Sequence, residues 1–139
     1  MKLKGLMVLS IVFICIFSIR VKAEGLSEVE KGWLMQIAMA EAGGESTEGK
    51  AAVMRVVLNR VADPRFPNTI PEVLFAQGQF TCVKPGGRIY TVHPNDDCVL
   101  ALAAVEAGWD GVNGALYFNS CNKKSGTFVT QIGNHKFYK

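Results

Sequence analysis

Between Ala51 and Val61 the chain sets Ala51, Val53, Met54, Val56, Val57, Leu58 and Val61 so close together that a helix built from them has few polar faces. A helix apolar nearly all round is stable only when other elements surround it. The rest of the chain therefore has to pack around this segment. The preceding residues supply one neighbour, because Trp33, Leu34, Ile37, Ala38, Ala40 and Ala42 continue an apolar face at helical spacing. Ser27-Glu28-Val29-Glu30 opens that helix with capping-box spacing, in which the serine hydroxyl and the glutamate carboxylate satisfy each other's backbone donors. Gly43-Gly44 ends it, and Ser46 or Thr47 can cap the central helix that follows.

Beyond the helical pair, Asp63-Pro64-Arg65-Phe66-Pro67-Asn68 is a turn-rich connector, and Thr69 to Phe75 predicts a short helix with proline in its first turn. Residues 76–94 are the least regular; Gly86-Gly87 suggests a turn between short strands ending near Phe80-Thr81 and Ile89-Tyr90. A further helix is expected from about Asn95 to Ala107, closed by Gly108. Ala115 to Asn119 and Phe128 to Tyr138 then resemble extended segments around a polar loop. Helices first and strands late is the order of an α+β domain. No repeat, linker or second domain interrupts it.

Residues 1–23 are expected to stand outside this fold as a secretory signal. Lys2 and Lys4 precede an apolar run from Leu6 to Ile19, and Val21-Lys22-Ala23 offers small residues at a cleavage site before Glu24. The run is shorter than the roughly 20 residues of a membrane span. Removing it takes away Lys2, Lys4, Arg20 and Lys22, shifting the formal charge from +3 to about −1. Basicity then gives no argument for nucleic acid, and residues 24–139 form a single exported domain. Export permits disulfides among Cys82, Cys98 and Cys121; the odd number predicts one bridge and one buried thiol, with the pairing open.

Three glutamates, Glu41, Glu45 and Glu48, cluster around the glycine break. Glu41 lies in the more apolar setting, beside Ile37, Ala38 and Ala40, while the glycines turn Glu45 away from it. A carboxyl group partly withdrawn from water is suited to hold and deliver a proton, which is what cleavage of a glycosidic bond needs. The competing reading is that Glu41 balances an arginine or caps a helix end. Tyr117 and Asn119 alternate on one strand and can line a cleft with Gln79 and Phe80, since aromatic rings stack on sugars and amides bond hydroxyls. Trp33 and Trp109 read as core, His135 as a structural hydrogen-bonding residue, and His93 as solvated. No Cys-x-x-Cys or His-Glu-x-x-His occurs, so neither a metal nor another cofactor is expected.

The blocks Glu41-Ala42-Gly43-Gly44-Glu45, Glu48-Gly49-Lys50-Ala51-Ala52-Val53 and Leu58-Asn59-Arg60-Val61 come first. Phe66-Pro67-Asn68-Thr69-Ile70, Val73-Leu74-Phe75, Gln79-Phe80, Gly108-Trp109-Asp110, Ala115-Leu116-Tyr117-Phe118-Asn119 and Ile132-Gly133-Asn134-His135-Lys136-Phe137-Tyr138 follow in order. Together they resemble the cell-wall hydrolase family of SleB-type spore cortex-lytic enzymes, from about Trp33 to Tyr138. The resemblance implies a small lysozyme-like domain that cleaves the MurNAc–GlcNAc linkage of peptidoglycan, with Glu41 as catalytic acid. It further implies a lytic transglycosylase, in which one carboxyl group serves as acid and then base, leaving Glu45 a supporting role.

Two departures from the family stand out. No separate peptidoglycan-binding domain is expected ahead of the catalytic region, which leaves wall targeting to the cleft or to an accessory protein. Asn119-Ser120-Cys121-Asn122-Lys123-Lys124 carries a cysteine and two lysines where many relatives are expected to have a proline-containing loop. A monomer acting on glycan strands is the expected state. The alternatives are a lysozyme-type hydrolase of the same bond, a thiol enzyme pairing Cys82 or Cys121 with His93 or His135, and a non-catalytic exported glycan-binding module.

Overall fold

The structure is a computed structural model that describes residues 25–139; the expected signal segment, 1–23, lies outside them. Four α-helices come first: α1 (Glu28–Ala42), α2 (Thr47–Ala62), α3 (Ile70–Phe75) and α4 (Asp96–Glu106). Three strands follow, β1 (Tyr117–Asn119), β2 (Phe128–Ile132) and β3 (His135–Tyr138), forming an antiparallel sheet in the order β1-β3-β2. This is the α+β order expected.

Each helix begins where its sequence provides a cap. Ser27 and Glu30 form the capping box, with Ser27 N donating to Glu30 Oε2 at 2.8 Å. Ser46, Thr69 and Asn95 each accept a backbone N–H of their helix's first turn. Helix α2 is central, as its composition requires. Met54 and Val57 belong to a core shared with α1, α3 and α4, while Ala52 and Val56 pack with Val112, Ala115 and Phe137 toward the sheet. Its few polar side chains hold the segment that leads from α4 into the sheet. Arg55 donates to the carbonyls of Val105 and Trp109, Asn59 to that of Ala115, and Arg60 to that of Leu116.

Two expectations fail. The strands expected near Phe80-Thr81 and Ile89-Tyr90 are instead two single 3-10 turns, Thr81–Val83 and Arg88–Tyr90. This loop folds onto itself and α1: Gln36 Nε2 donates to the carbonyls of Ile89 and Val92, each at 2.8 Å, so those groups need no partner strand. The disulfide expected among Cys82, Cys98 and Cys121 does not form, and all three thiols are free. Cys82 lies buried in the first 3-10 turn and Cys98 buried at the start of α4, against the sulfur of Met39, while Cys121 is exposed in the β1–β2 loop.

Candidate active site

The glycine break brings three parts of the chain together. Glu41 is the penultimate residue of α1 and half-buried. The Cys82 thiol lies within hydrogen-bonding reach of its carboxylate. Burial pushes that thiol up to about 12, and the hydrogen bond to Glu41 and the charge of Glu41 act in the same direction. Arg88, in the second 3-10 turn, acts on the same thiol in the opposite sense. Its guanidinium reaches the end of α1, where a methyl group added to Gly43 would lie 3.7 Å from Nη2. Among the described residues the salt bridges join Lys31 to Glu28 and Glu106, and Arg65 to Asp63; none engages Glu41. The reading of Glu41 as half of an ion pair thus gains nothing from the geometry.

Glu45 is placed differently. Its two carboxylate oxygens each lie 3.3 Å from the backbone N–H of Asn134, in the turn between β2 and β3. Gly133, at φ +56°, permits this approach, because a methyl group there would overlap Glu45 Oε2. The segment between the two glutamates is fixed from below by Lys50. This lysine is 1 % exposed, and its ammonium donates to the carbonyls of Glu45 at 2.5 Å and Gly43 at 3.3 Å. These carbonyls follow the end of α1, where partial negative charge collects. Glu48 stands exposed in the first turn of α2.

The remaining candidates gather around Arg60 and the sheet. Arg60 is 4 % exposed, and its guanidinium lies over the rings of Phe66, Phe80 and Tyr117 at 5.3, 5.1 and 5.7 Å. Burial lowers its pKa. Gln79 is exposed and accepts from Arg60 Nη1 at 3.2 Å. Phe80 is only 5 % exposed and packs on Phe118, which leaves little of its ring for a ligand. Tyr117 is half-buried against Phe66, and Asn119 Nδ2 donates to the Lys123 carbonyl at 2.7 Å. The register pairs Tyr117 with Tyr138 and Asn119 with Lys136, so these four share one face of the sheet, with Phe118, His135 and Phe137 on the other.

His135 is buried, yet its Nδ1 has no hydrogen-bond partner. The ring lies edge-on to Phe118 at 5.2 Å, so the structural hydrogen bond expected is missing at that nitrogen. His93 is exposed. For Cys82 the thiol-enzyme alternative is disfavoured, since its environment opposes the reactive thiolate. Lys50, Arg88 and Asn134 escaped the sequence reading. Lys50 and Asn134 fell there within family blocks but without a role of their own, and Arg88 lies in the irregular segment.

Residues 44–138 match the family model described as Cell Wall Hydrolase, and the chain belongs to that family. Over 122 residues it is 37% identical to a spore cortex-lytic enzyme of Oceanobacillus iheyensis, a match covering 84% of this chain and 44% of that protein. A spore cortex-lytic enzyme of Bacillus subtilis is 34% identical over 119 residues, 81% of this chain and 38% of the relative. The chain thus spans less than half the length of these curated relatives. Among solved structures, it resembles the catalytic domain of the germination-specific lytic transglycosylase SleB from Bacillus anthracis. The TM-score is 0.72 at 32% identity, covering 84% of this chain and 98% of that one. The catalytic domain of the Bacillus cereus SleB protein gives 0.73 at 30% identity, covering 84% and 94%. The fold is that of the SleB catalytic domain.

Proposed function

We propose that this domain cleaves the MurNAc–GlcNAc linkage of peptidoglycan as a lytic transglycosylase, with Glu41 as the proton-transferring group. The observation that carries the reading is the inequality of the two glutamates. Glu45 is engaged at the β2–β3 turn. Glu41 is half-buried, unpaired by any salt bridge among the described residues, and flanked by a neutral thiol. Of these two glutamates only Glu41 is left available, which fits a reaction that needs one carboxyl group, whereas the usual hydrolytic routes call on a second carboxylate.

In that reaction Glu41 protonates the glycosidic oxygen as the bond to the anomeric carbon of MurNAc breaks. The 6-hydroxyl of the same sugar then attacks that carbon and returns its proton to Glu41. The products are a new GlcNAc end and a 1,6-anhydro-MurNAc end; no water is consumed and Glu41 is regenerated. Cys82 keeps a neutral thiol beside the carboxylate, and Arg88 supplies a cation near the end of α1. Glu45 ties the end of α1 to the sheet. Gln79, Tyr117 and Asn119 are the polar groups assigned to glycan binding, with Phe80 packed beside them around Arg60.

The names of the relatives support spore cortex peptidoglycan as the substrate and germination as the occasion. Such a substrate lies outside the membrane, which agrees with residues 1–23 serving as an export signal. Mass spectrometry of the muropeptides released from purified cortex and vegetative peptidoglycan tests the reading. Anhydro-muramic ends are expected, with cortex the better substrate. Reducing ends instead would replace transglycosylation by hydrolysis.

A further inference from the structure

The charge of this chain is unevenly distributed. From Gly111 to Lys139 it holds Lys123, Lys124, Lys136 and Lys139 and no aspartate or glutamate, although the whole precursor carries 12 acidic residues. The sheet face that bears Lys136 and Tyr138 closes a groove of roughly 540 Å³ with the β1–β2 loop. Lys124, Lys136, Asn122, Gln131, Phe128 and Tyr138 line it. Phe128 is 56 % exposed and meets Tyr138 edge-on at 6.0 Å, so the groove has an aromatic floor open to solvent. Lys136 Nζ donates to Asn122 Oδ1 at 2.8 Å, and neither lysine is in a salt bridge among the described residues. The groove is thus built in part from the β1–β2 loop, which carries Asn122 and Lys124 into it.

We propose that this groove is a second, non-catalytic site that binds the carboxylate-bearing peptide side chains of peptidoglycan, and so holds the wall against the domain. The inference rests on the proposed substrate. Two lysines in a groove lined by no aspartate or glutamate complement an anionic peptide better than a neutral sugar, while the Phe128 ring covers the peptide's aliphatic parts. Binding the polymer at a second point raises the local concentration of glycan at the Glu41 cleft without any new contact there.

The test measures binding, so it is scored apart from turnover. The full chain carrying Glu41→Gln is titrated onto purified, insoluble peptidoglycan and onto the same material stripped of its peptides by an amidase. Adding Lys124→Glu and Lys136→Glu is expected to weaken binding to intact peptidoglycan about tenfold at low salt, with the salt dependence much reduced. Stripping the peptides should weaken the parent by a similar factor. Lys124→Arg with Lys136→Arg should keep the binding. In the Glu41 background, the charge-reversed protein should cleave short soluble glycan strands at the parent rate, which also shows that it folds. Equal binding to intact and stripped material, or unchanged binding after charge reversal, overturns the proposal. Failure to release any muropeptide would instead count against the proposed activity.

Discussion

Replacing Lys50 by methionine isolates the device that fixes the loop between Glu41 and Glu45. Methionine keeps most of the buried stem but removes an ammonium that donates to the Gly43 and Glu45 carbonyls at 3.3 and 2.5 Å. Hydrogen bonds to a charged group contribute about 1.5–3 kcal/mol each. Two would suggest a loss of about 3–6 kcal/mol, but methionine also relieves the cost of burying a cation that faces no carboxylate. Both acceptors are partly shielded rather than fully buried, so water can reclaim part of the loss. The net destabilisation should be about 2 kcal/mol. For a domain of this size the urea midpoint should fall by about 1 M. That leaves the variant folded in buffer, so any change in turnover reports on the loop. With the Gly43–Glu45 carbonyls released, muropeptide release should drop at least about tenfold, since misplacement of a reacting group by about 1 Å costs on the order of a hundredfold. A variant with the parent's urea midpoint and turnover would refute this account of how the Glu41–Glu45 segment is held.

Other consequences follow from the same geometry. Gly133→Ala should lower the thermal midpoint by several degrees, because its φ is positive and the new methyl overlaps Glu45 Oε2. Adding Glu45→Ala should recover part of that loss, and strictly additive effects would contradict the contact. Under native conditions at pH 8, iodoacetamide should label Cys121 and spare Cys82, whose thiol is held up at about 12 by burial and by Glu41. Peptide mass spectrometry showing equal labelling of the two would contradict that environment. Asp63 is held at about 2, below its ordinary 3.8, by hydrogen bonds from Arg65. It therefore adds stability above about pH 4 that is lost as the pH falls through 2. The gain is small because Arg65 is exposed, and Asp63→Asn should flatten this part of the acid-unfolding curve.

The helices were legible because their signals are local. Ser27 with Glu30, Gly43-Gly44, and Asn95 ahead of Asp96-Asp97 mark ends that the structure keeps to within a residue or so. The burial of α2 followed from its composition alone. The 3-10 turns were not legible, because they depend on Gln36 reaching across more than 50 residues to the Ile89 and Val92 carbonyls. The candidate site was legible in part. Glu41 stood out by its place before the glycines. Its neighbours Cys82 and Arg88 lie in the aperiodic loop, and the Asn134 N–H that engages Glu45 is a backbone group that every residue type but proline carries. Lys50 was hidden by the ordinary habit of lysine, which is to keep its ammonium in water.

The central claim is that Glu41 carries the proton, and the Glu41→Gln variant tests it most directly. Parent and variant are incubated with purified cortex peptidoglycan, and both the bound protein and the soluble muropeptides are measured. The account predicts equal binding, anhydro-muramic products from the parent, and essentially none from the variant, since glutamine keeps the shape of the side chain but cannot deliver a proton. Release by the variant at a rate near the parent's would contradict it and move the chemistry to another group.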